Sequence, residues 1–379
     1  MSIGIAFALL GQWFFFGGPL PYLKALYALG KIPTVKKYLF WSNFLNIACL
    51  ISLLGAYFFP VVIGGMSPDV KFVKDLWKCW YLYWPVLLLP GLLEFSELRI
   101  DSFLKKYLLL AIFICALGWI QFFTGFPTKR EIPAFEGYFH VQGLFGHHLS
   151  FASIMIFPFF MLLDETFKHL REKGNFWRIL GGVIMVVALL GSFSRMLWIG
   201  LPLGLMLFFL VQLRGKRRWV SIFGCLIALG LFSQIPSVKN RLTHSMGTEE
   251  RYTLWRANGE FFKMRPITGV GWHHNLALLE GYFRVNNPGE KNKFMGHAHN
   301  NFIEVSAALG LIGIFAFLGW NIYVLRLGAM ASAGLFAAWV VFHFNGITQV
   351  NFWEAKVLHT MGLTLAFLLL KGVRREFTT

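Results

Sequence analysis

Charge is scarce in this chain. Of 379 residues only 14% are Asp, Glu, Lys or Arg, where a soluble domain carries about 25%. The acidic share is the smaller one, 18 Asp and Glu against 35 Lys and Arg. Cysteine is rarer still. Cys49, Cys79, Cys115 and Cys225 stand singly in or beside apolar stretches with no C-x-x-C spacing, which excludes a disulfide framework and a thiolate metal site. Strict alternation of apolar and polar residues is also missing. The apolar runs are unbroken, and this excludes a transmembrane β-barrel. The segment from Met1 to Phe16 lacks a basic leader and a small-residue cleavage site, so it reads as a first span rather than a removable signal.

What is present is apolar surface, 56% hydrophobic and 18% aromatic residues, in stretches of the roughly 20 residues a helix needs to cross a bilayer. The fold class is therefore an all-α polytopic membrane protein. A net charge of +17 in such a chain reports topology first and anionic membrane lipids second, and makes nucleic acid an unsuitable partner. Basic clusters at Lys31/Lys36/Lys37, Arg99/Lys105/Lys106, Lys168/Arg171/Lys173/Arg178, Arg214/Lys216/Arg217/Arg218 and Lys371/Arg374/Arg375 divide the apolar runs. With each cluster cytoplasmic, an even number of spans lies between neighbours. This gives spans near 39–60, 76–93, 107–123, 143–163, 179–192, 196–213, 219–235, 301–325, 330–345 and 353–370. Residues 1–30 supply two more, hinged at Gly17, Gly18 and Pro19. The expectation is a single integral membrane domain over 1–379, with about 12 transmembrane helices and both ends inside.

Residues 179–213 lie between two cytoplasmic clusters and must form a hairpin. Its outer tip carries Gly191, Ser192, Ser194 and Arg195. The legs are short at about 1.5 Å per residue, so the tip is expected below the membrane surface in a protein-lined cavity. The longest polar stretch, 236–300, follows an outward span and is expected outside. It holds nine Lys or Arg and five of the eleven His, and it is too long for its charge to govern orientation. Within it 249–263 reads as an amphipathic helix, with Leu254, Trp255, Asn258, Phe261 and Phe262 on one face and Glu249, Arg256, Glu260 and Lys263 on the other. Arg256 and Glu260 have the spacing of a surface ion pair. Arg251 falls in the middle of the apolar face, where a guanidinium either snorkels to lipid phosphate or clamps a buried anion.

A turn-rich segment, Arg265 to Trp272, ends that helix. The stretch Gly296-His-Ala-His-Asn-Asn-Phe-Ile-Glu304 then leads into an apolar run. Asn301 and Glu304 fit a capping box. His299 sits just before the helix start, where a neutral imidazole either takes a proton from a sugar hydroxyl or serves as a hydrogen-bonded structural residue. His297 and His299 with His273 and His274 could in principle hold zinc, but no carboxylate or thiolate partner accompanies them.

These residues resemble the O-antigen ligase and O-antigen polymerase superfamily of bacterial cell-envelope glycosyltransferases. Three ordered segments carry the likeness: Gly191-Ser-Phe-Ser-Arg195 with Trp198; Glu250-Arg-Tyr-Thr-Leu-Trp255 with Pro266 to Gly271; and His299-Asn300 with Glu304 and Gly310-Leu-Ile-Gly313. The resemblance implies a membrane glycosyltransferase fold of type C that uses a glycan on undecaprenyl diphosphate at the periplasmic face of the inner membrane. By that similarity Arg195 and Arg251 engage the diphosphate and His299 acts on the acceptor hydroxyl. Arginine suits the first task because it stays charged and grips phosphate bidentately. With two arginines carrying the charge, no metal or other cofactor is expected. Lys129, Arg130, His147 and His148 extend the basic wall or belong to a solvated loop, Arg256, Arg265 and His297 support the site, and His343, Asn345, Gln349 and Asn351 either touch sugar hydroxyls or hydrate a turn. The leading expectation is an O-antigen ligase transferring a polysaccharide en bloc to lipid A-core. A polymerase using the same donor and, from another class, a membrane transporter are the alternatives.

Overall fold

The computed structural model describes residues 12, 16, 18–67, 69–70, 75, 78–94, 97–127, 133–135, 137–243, 248–286 and 296–378. Lys129 and Arg130 lie outside the described residues, as does most of the first span expected before Gly17. The helices, in chain order, are α1 (Pro19–Gly30), α2 (Pro33–Phe58), α3 (Trp84–Glu94), α4 (Glu97–Thr124), α5 (His148–Lys168), α6 (Phe176–Leu190) and α7 (Arg195–Gln212). They continue with α8 (Lys216–Ser233), α9 (Pro236–Thr243), α10 (Thr248–Met264), α11 (Asn275–Asn286), α12 (Asn301–Ala331), α13 (Ala333–Asn345) and α14 (Ala355–Thr378). One short antiparallel hairpin, Pro133–Phe135 with Tyr138–Phe139, joins α4 to α5.

Six helices among the described residues, α2, α4, α5, α7, α12 and α14, are long and apolar enough to cross a membrane, and α6 and α13 are shorter apolar helices. The chain is an all-α, multi-pass membrane protein. Several helices outrun the apolar stretch that announces them. α4 begins at Glu97 rather than near 107, and α14 continues to Thr378, because intrahelical hydrogen bonding does not stop where hydrophobicity does. α3 is only 11 residues long, preceded by a 3₁₀ turn over Lys78–Tyr83. α13 starts late because Ser332 is extended (φ −164°) and its hydroxyl accepts from the Leu335 N–H at 3.1 Å, so one helix ends and the next is capped at the same residue.

α5 is the central element: 83% of its membrane-length window is buried, and every residue from Ser150 to Leu162 is inside. Pro158 within it and Pro202 within α7 are tolerated as prolines are in membrane helices. α5 packs on α6, α13 and α14, α7 on α13, and α2 on α12. Small residues allow the close approaches; a side chain at Gly204 of α7 would strike Val341 of α13 and Phe160 of α5. At one end of this bundle the tip between α6 and α7, the start of α5, the turn after α13 and the start of α12 converge under α10. Arg195, Arg251, His147, His148, His297 and His299 gather there.

Candidate active site

The first half of the site is an anion chamber. The α6–α7 tip is held by its own polar groups: the Ser192 hydroxyl donates to Leu189 O at 2.6 Å, and the Trp198 indole N–H donates to Leu190 O at 2.8 Å. Phe193 takes a left-handed conformation (φ 54°) and packs on Trp198. This fixes Arg195 at the first turn of α7, where the helix dipole adds partial positive charge. Arg251 comes from α10, one turn before Trp255. Both arginines are half-buried. They line one cavity of about 440 Å³ together with His148, Ser194, Tyr252, Trp255, Thr348 and Gln349. Two guanidiniums that cannot lose their charge, on two elements braced by packing, fit a dianionic or polyanionic group.

The second half is a histidine chamber of about 370 Å³. It shares Leu149 and Gln349 with the first and is lined by His147, Ser150, His273, His297, His299, Glu304, Trp353 and Glu354. Its two central histidines flank Ala298, whose peptide is clamped from both sides. The Ala298 N–H donates to Glu304 Oε2 at 2.8 Å, and Ala298 O accepts from the Trp255 indole N–H at 2.8 Å. Asn275 supports the carboxylate, being bonded to Glu304 and, at 2.8 Å, to Asn258. With Ala298 fixed, His299 is held in a left-handed backbone conformation (φ 50°), and its ring stands 4.5 Å from that of His297. Burial first, then the neighbouring His297, Arg251 and His147, push His299 down from 6.5 to about 4. Burial likewise lowers His297. Both rings are therefore neutral at neutral pH, and burial disfavours the imidazolium that proton uptake would form.

Residues 180–318, which begin in α6 and end in α12, match the family described as O-Antigen ligase. Over that stretch, just over a third of the chain, the sequence is similar to the O-antigen ligase family. No curated protein matches it in sequence. The matched residues contain Arg195, Arg251 and His299, whereas His147, His148, Gln349, Trp353 and Glu354 lie outside them.

Within the matched residues, the glycines and proline of two motif segments turn out to be architectural. At Gly310 (φ 63°) α12 breaks its ladder, and the segment after α10 inserts into the break. Val270 N and Gly271 N donate to the freed Ala307 and Ala308 carbonyls at 3.0 and 3.2 Å. In the other direction Leu311 N and Ile312 N donate to Pro266 O and Ile267 O at 2.8 and 3.3 Å. A side chain on Gly269 would meet the Ala308 carbonyl. The interlock fastens the end of the helix that carries Arg251 to the helix whose start carries His299.

Three local expectations are corrected. The capping residue of α12 is Asn300, whose Oδ1 accepts from Phe302 N at 2.8 Å and Ile303 N at 3.1 Å. Asn301 instead turns inward, donating to Asn351 Oδ1 at 2.6 Å and accepting from Asn351 N at 3.0 Å. Glu304 holds the histidine segment and closes no capping box. Glu260 pairs with Lys263 at 2.8 Å rather than with Arg256, which is exposed on the opposite face of α10 from Leu254 and Phe261. Arg265 reaches away from both chambers and donates to Gly55 O at 3.3 Å and to Phe59 O, closing the C-terminus of α2.

The structure separates the remaining candidates in the same way. His148 lines the arginine chamber, and His147 lines the histidine chamber while accepting from Leu149 N at 3.3 Å as the cap of α5. Of the four histidines weighed for zinc, His274 turns to a buried Asp75 at 3.3 Å, while His273, His297 and His299 line the chamber. Among the described residues no group of three or more His, Cys, Asp or Glu is placed to hold a metal ion. His343 is packed among Phe317, Trp339 and Phe342, Asn345 is buried, and Asn351 is part of the Asn301 hub, so of that string only Gln349 reaches the site. Ser150, Trp353 and Glu354 were not among the expected residues. No motif marks them, since each reaches the chamber only through the packing of α5 and α14.

Proposed function

We propose that the protein is an O-antigen ligase that moves a polysaccharide en bloc from undecaprenyl diphosphate to a sugar hydroxyl of lipid A-core. The observation that carries this reading is the juxtaposition of an anion chamber holding Arg195 and Arg251 with a chamber holding His299, the two sharing Leu149 and Gln349. The donor diphosphate binds between the arginines. The acceptor hydroxyl attacks the anomeric carbon, the bond from that carbon to the diphosphate oxygen breaks, and the guanidiniums take up the charge that develops on the leaving group. His299 receives the hydroxyl proton. An apolar groove of about 290 Å³ lined by Trp119, Phe122, Phe123, Trp198 and Phe232 meets the arginine chamber at Phe193, and suits the first isoprene units of the lipid.

In this reading the chain is a type-C-like glycosyltransferase of twelve spans in the bacterial inner membrane, a single integral domain whose 236–300 segment and active site face the periplasm. The fixed guanidinium charges make the reaction metal-independent. A polymerase would use the same donor chamber with a second lipid-linked repeat as acceptor. The direct test combines purified protein, lipid-linked glycan and lipid A-core in the presence of chelator, with products resolved on a gel. Transfer to lipid A-core that is lost in Arg195→Ala, Arg251→Ala and His299→Ala is the expected result. Normal transfer by all three variants overturns the site, and lengthening of lipid-linked repeats with lipid A-core untouched makes the protein a polymerase. Substrate counterflow in proteoliposomes without any glycan transfer would make it a transporter.

A further inference from the structure

Part of the lining of the histidine chamber, Ser150, Gln349, Trp353 and Glu354, lies outside the matched residues, and its chemistry differs from that of the arginine chamber. Glu354, at the turn before α14, lines the chamber with its carboxylate anchored through Oε1 by the hydroxyl of Ser150, itself 2% exposed. Glu304 also lines the chamber, but its carboxyl is taken up by the Ala298 N–H and Asn275 and is pushed up by burial. Gln349, 8% exposed, adds an amide. Trp353 is 9% exposed and wedged edge-on between Trp272 (4.0 Å) and Phe352 (4.4 Å), and its indole N–H is buried without a hydrogen-bond partner. A buried donor left unpaired costs free energy unless a ligand meets it. Carboxylate, amide, indole N–H and an aromatic surface together offer what a sugar ring requires, since each of its hydroxyls both donates and accepts. A phosphate monoester can only accept near neutral pH, and here it would meet the Glu354 carboxylate in a lining that holds histidines but no lysine or arginine to offset the repulsion.

We infer that this chamber is an acceptor subsite for an uncharged sugar with free neighbouring hydroxyls, held by Glu354 with Gln349 and Trp353, and that it rejects the same sugar when phosphorylated. The inference rests on the glycosyltransferase reading for the identity of the chamber and adds the chemical class of the acceptor unit. Charge is thereby sorted between two adjoining spaces: cationic where a diphosphate must sit, anionic and amide-lined where a neutral sugar must sit. Glu354 is a binding residue in this account, and His299 remains the proton acceptor.

The test uses the full-length protein in detergent with lipid-linked donor and two core glycolipids that differ only by a phosphate on the acceptor sugar. The wild-type protein is expected to use the unphosphorylated acceptor with kcat/KM about tenfold higher or more, as for a site whose polar groups are left unpaired by the wrong ligand. Glu354→Gln removes the charge, keeps the shape, and is expected to shrink that ratio to about threefold or less with the donor KM unchanged. Equal use of both acceptors by the wild type, or an unchanged ratio in Glu354→Gln, overturns the inference while leaving the transfer reading intact. Direct binding of the two glycolipids to the wild-type protein separates the remaining cases. Tighter binding of the neutral one without any transfer sustains the subsite and removes the transferase reading, whereas equal binding overturns the subsite even if Glu354→Gln does not fold.

Discussion

Replacing Gly310 by alanine tests the interlock on which the geometry of both chambers depends. The Cβ would lie 2.5 Å from the Ile267 carbonyl carbon and oxygen and 2.6 Å from Gly269 N. All three are backbone atoms, so no side chain can rotate out of the way. The left-handed conformation (φ 63°) adds roughly 1–2 kcal/mol for a residue with a Cβ. If the inserted segment is expelled, the four cross-bonds it makes with Ala307, Ala308, Leu311 and Ile312 go with it, at about 0.5–1.5 kcal/mol each. The expected local cost is therefore roughly 3–8 kcal/mol, enough to open the segment while the bundle stays folded. Hydrogen exchange should show it as lost protection at Val270, Gly271, Leu311 and Ile312 with the rest of α12 unchanged, and transfer should collapse because α10 and the histidine segment lose their common anchor. Gly65→Ala is the control: its φ is also positive (77°), but nothing lies within 4 Å of its Cβ, so it carries strain without collision. Native protection and activity in Gly310→Ala would refute the reasoning.

Three further outcomes follow from the same geometry. With His299 neutral down to about pH 4 in the donor-free protein, acceptor kcat/KM should stay level from about pH 7 to about pH 5. A loss centred near 6.5 contradicts the burial that holds the ring neutral. Across the window from 6.5 to about 4 the unfolded chain binds a proton that the folded ring refuses, so stability falls as pH falls, by at most about 3 kcal/mol from this residue. Thermal unfolding of His299→Gln should show a shallower dependence. Trp255→Phe keeps an aromatic ring but loses the indole N–H that grips Ala298 O together with part of the ring volume; kcat should drop by about tenfold with donor binding intact, and an equal rise in donor KM would place Trp255 in diphosphate binding instead. Arg265→Ala should lower the unfolding temperature by a few degrees and leave both KM values unchanged, since it ties down the end of α2; a selective change in donor KM would return Arg265 to the site.

Much of this protein is legible in its residues one stretch at a time. Apolar run length and basic punctuation give a multi-pass helical protein, because crossing a bilayer is a local requirement that each helix meets by itself. The short hairpin with Arg195 near its tip follows from charge bookkeeping over 35 residues, and the burial of Leu254, Asn258 and Phe261 on α10 follows from a 3.6-residue period. Arg251 is conspicuous for the same reason: it interrupts that period.

Local pattern misled wherever a polar group had a distant alternative. Asn301 and Glu304 have the spacing of a capping box, but Asn351, fifty residues on, and the Ala298 peptide compete for them, and a buried partner outbids a cap at the membrane surface. Arg265 looks like a support of the site until the open carbonyls of α2, more than two hundred positions earlier, are brought beside it. The glycines at 269, 271 and 310 announce only that the backbone must do something unusual; what they permit, one segment threaded into a gap in another helix, exists only after both are packed. Glu354, Ser150 and Trp353 carry no motif at all, and Gln349 stands out only as one of a polar string. The sequence by itself determined which class of molecule this is and which arginines and histidine are out of place in it, because those are costs measured within one helix or loop. Only the tertiary structure decided what meets them, because a hydrogen bond between residues hundreds of positions apart has no local signature until the bundle closes.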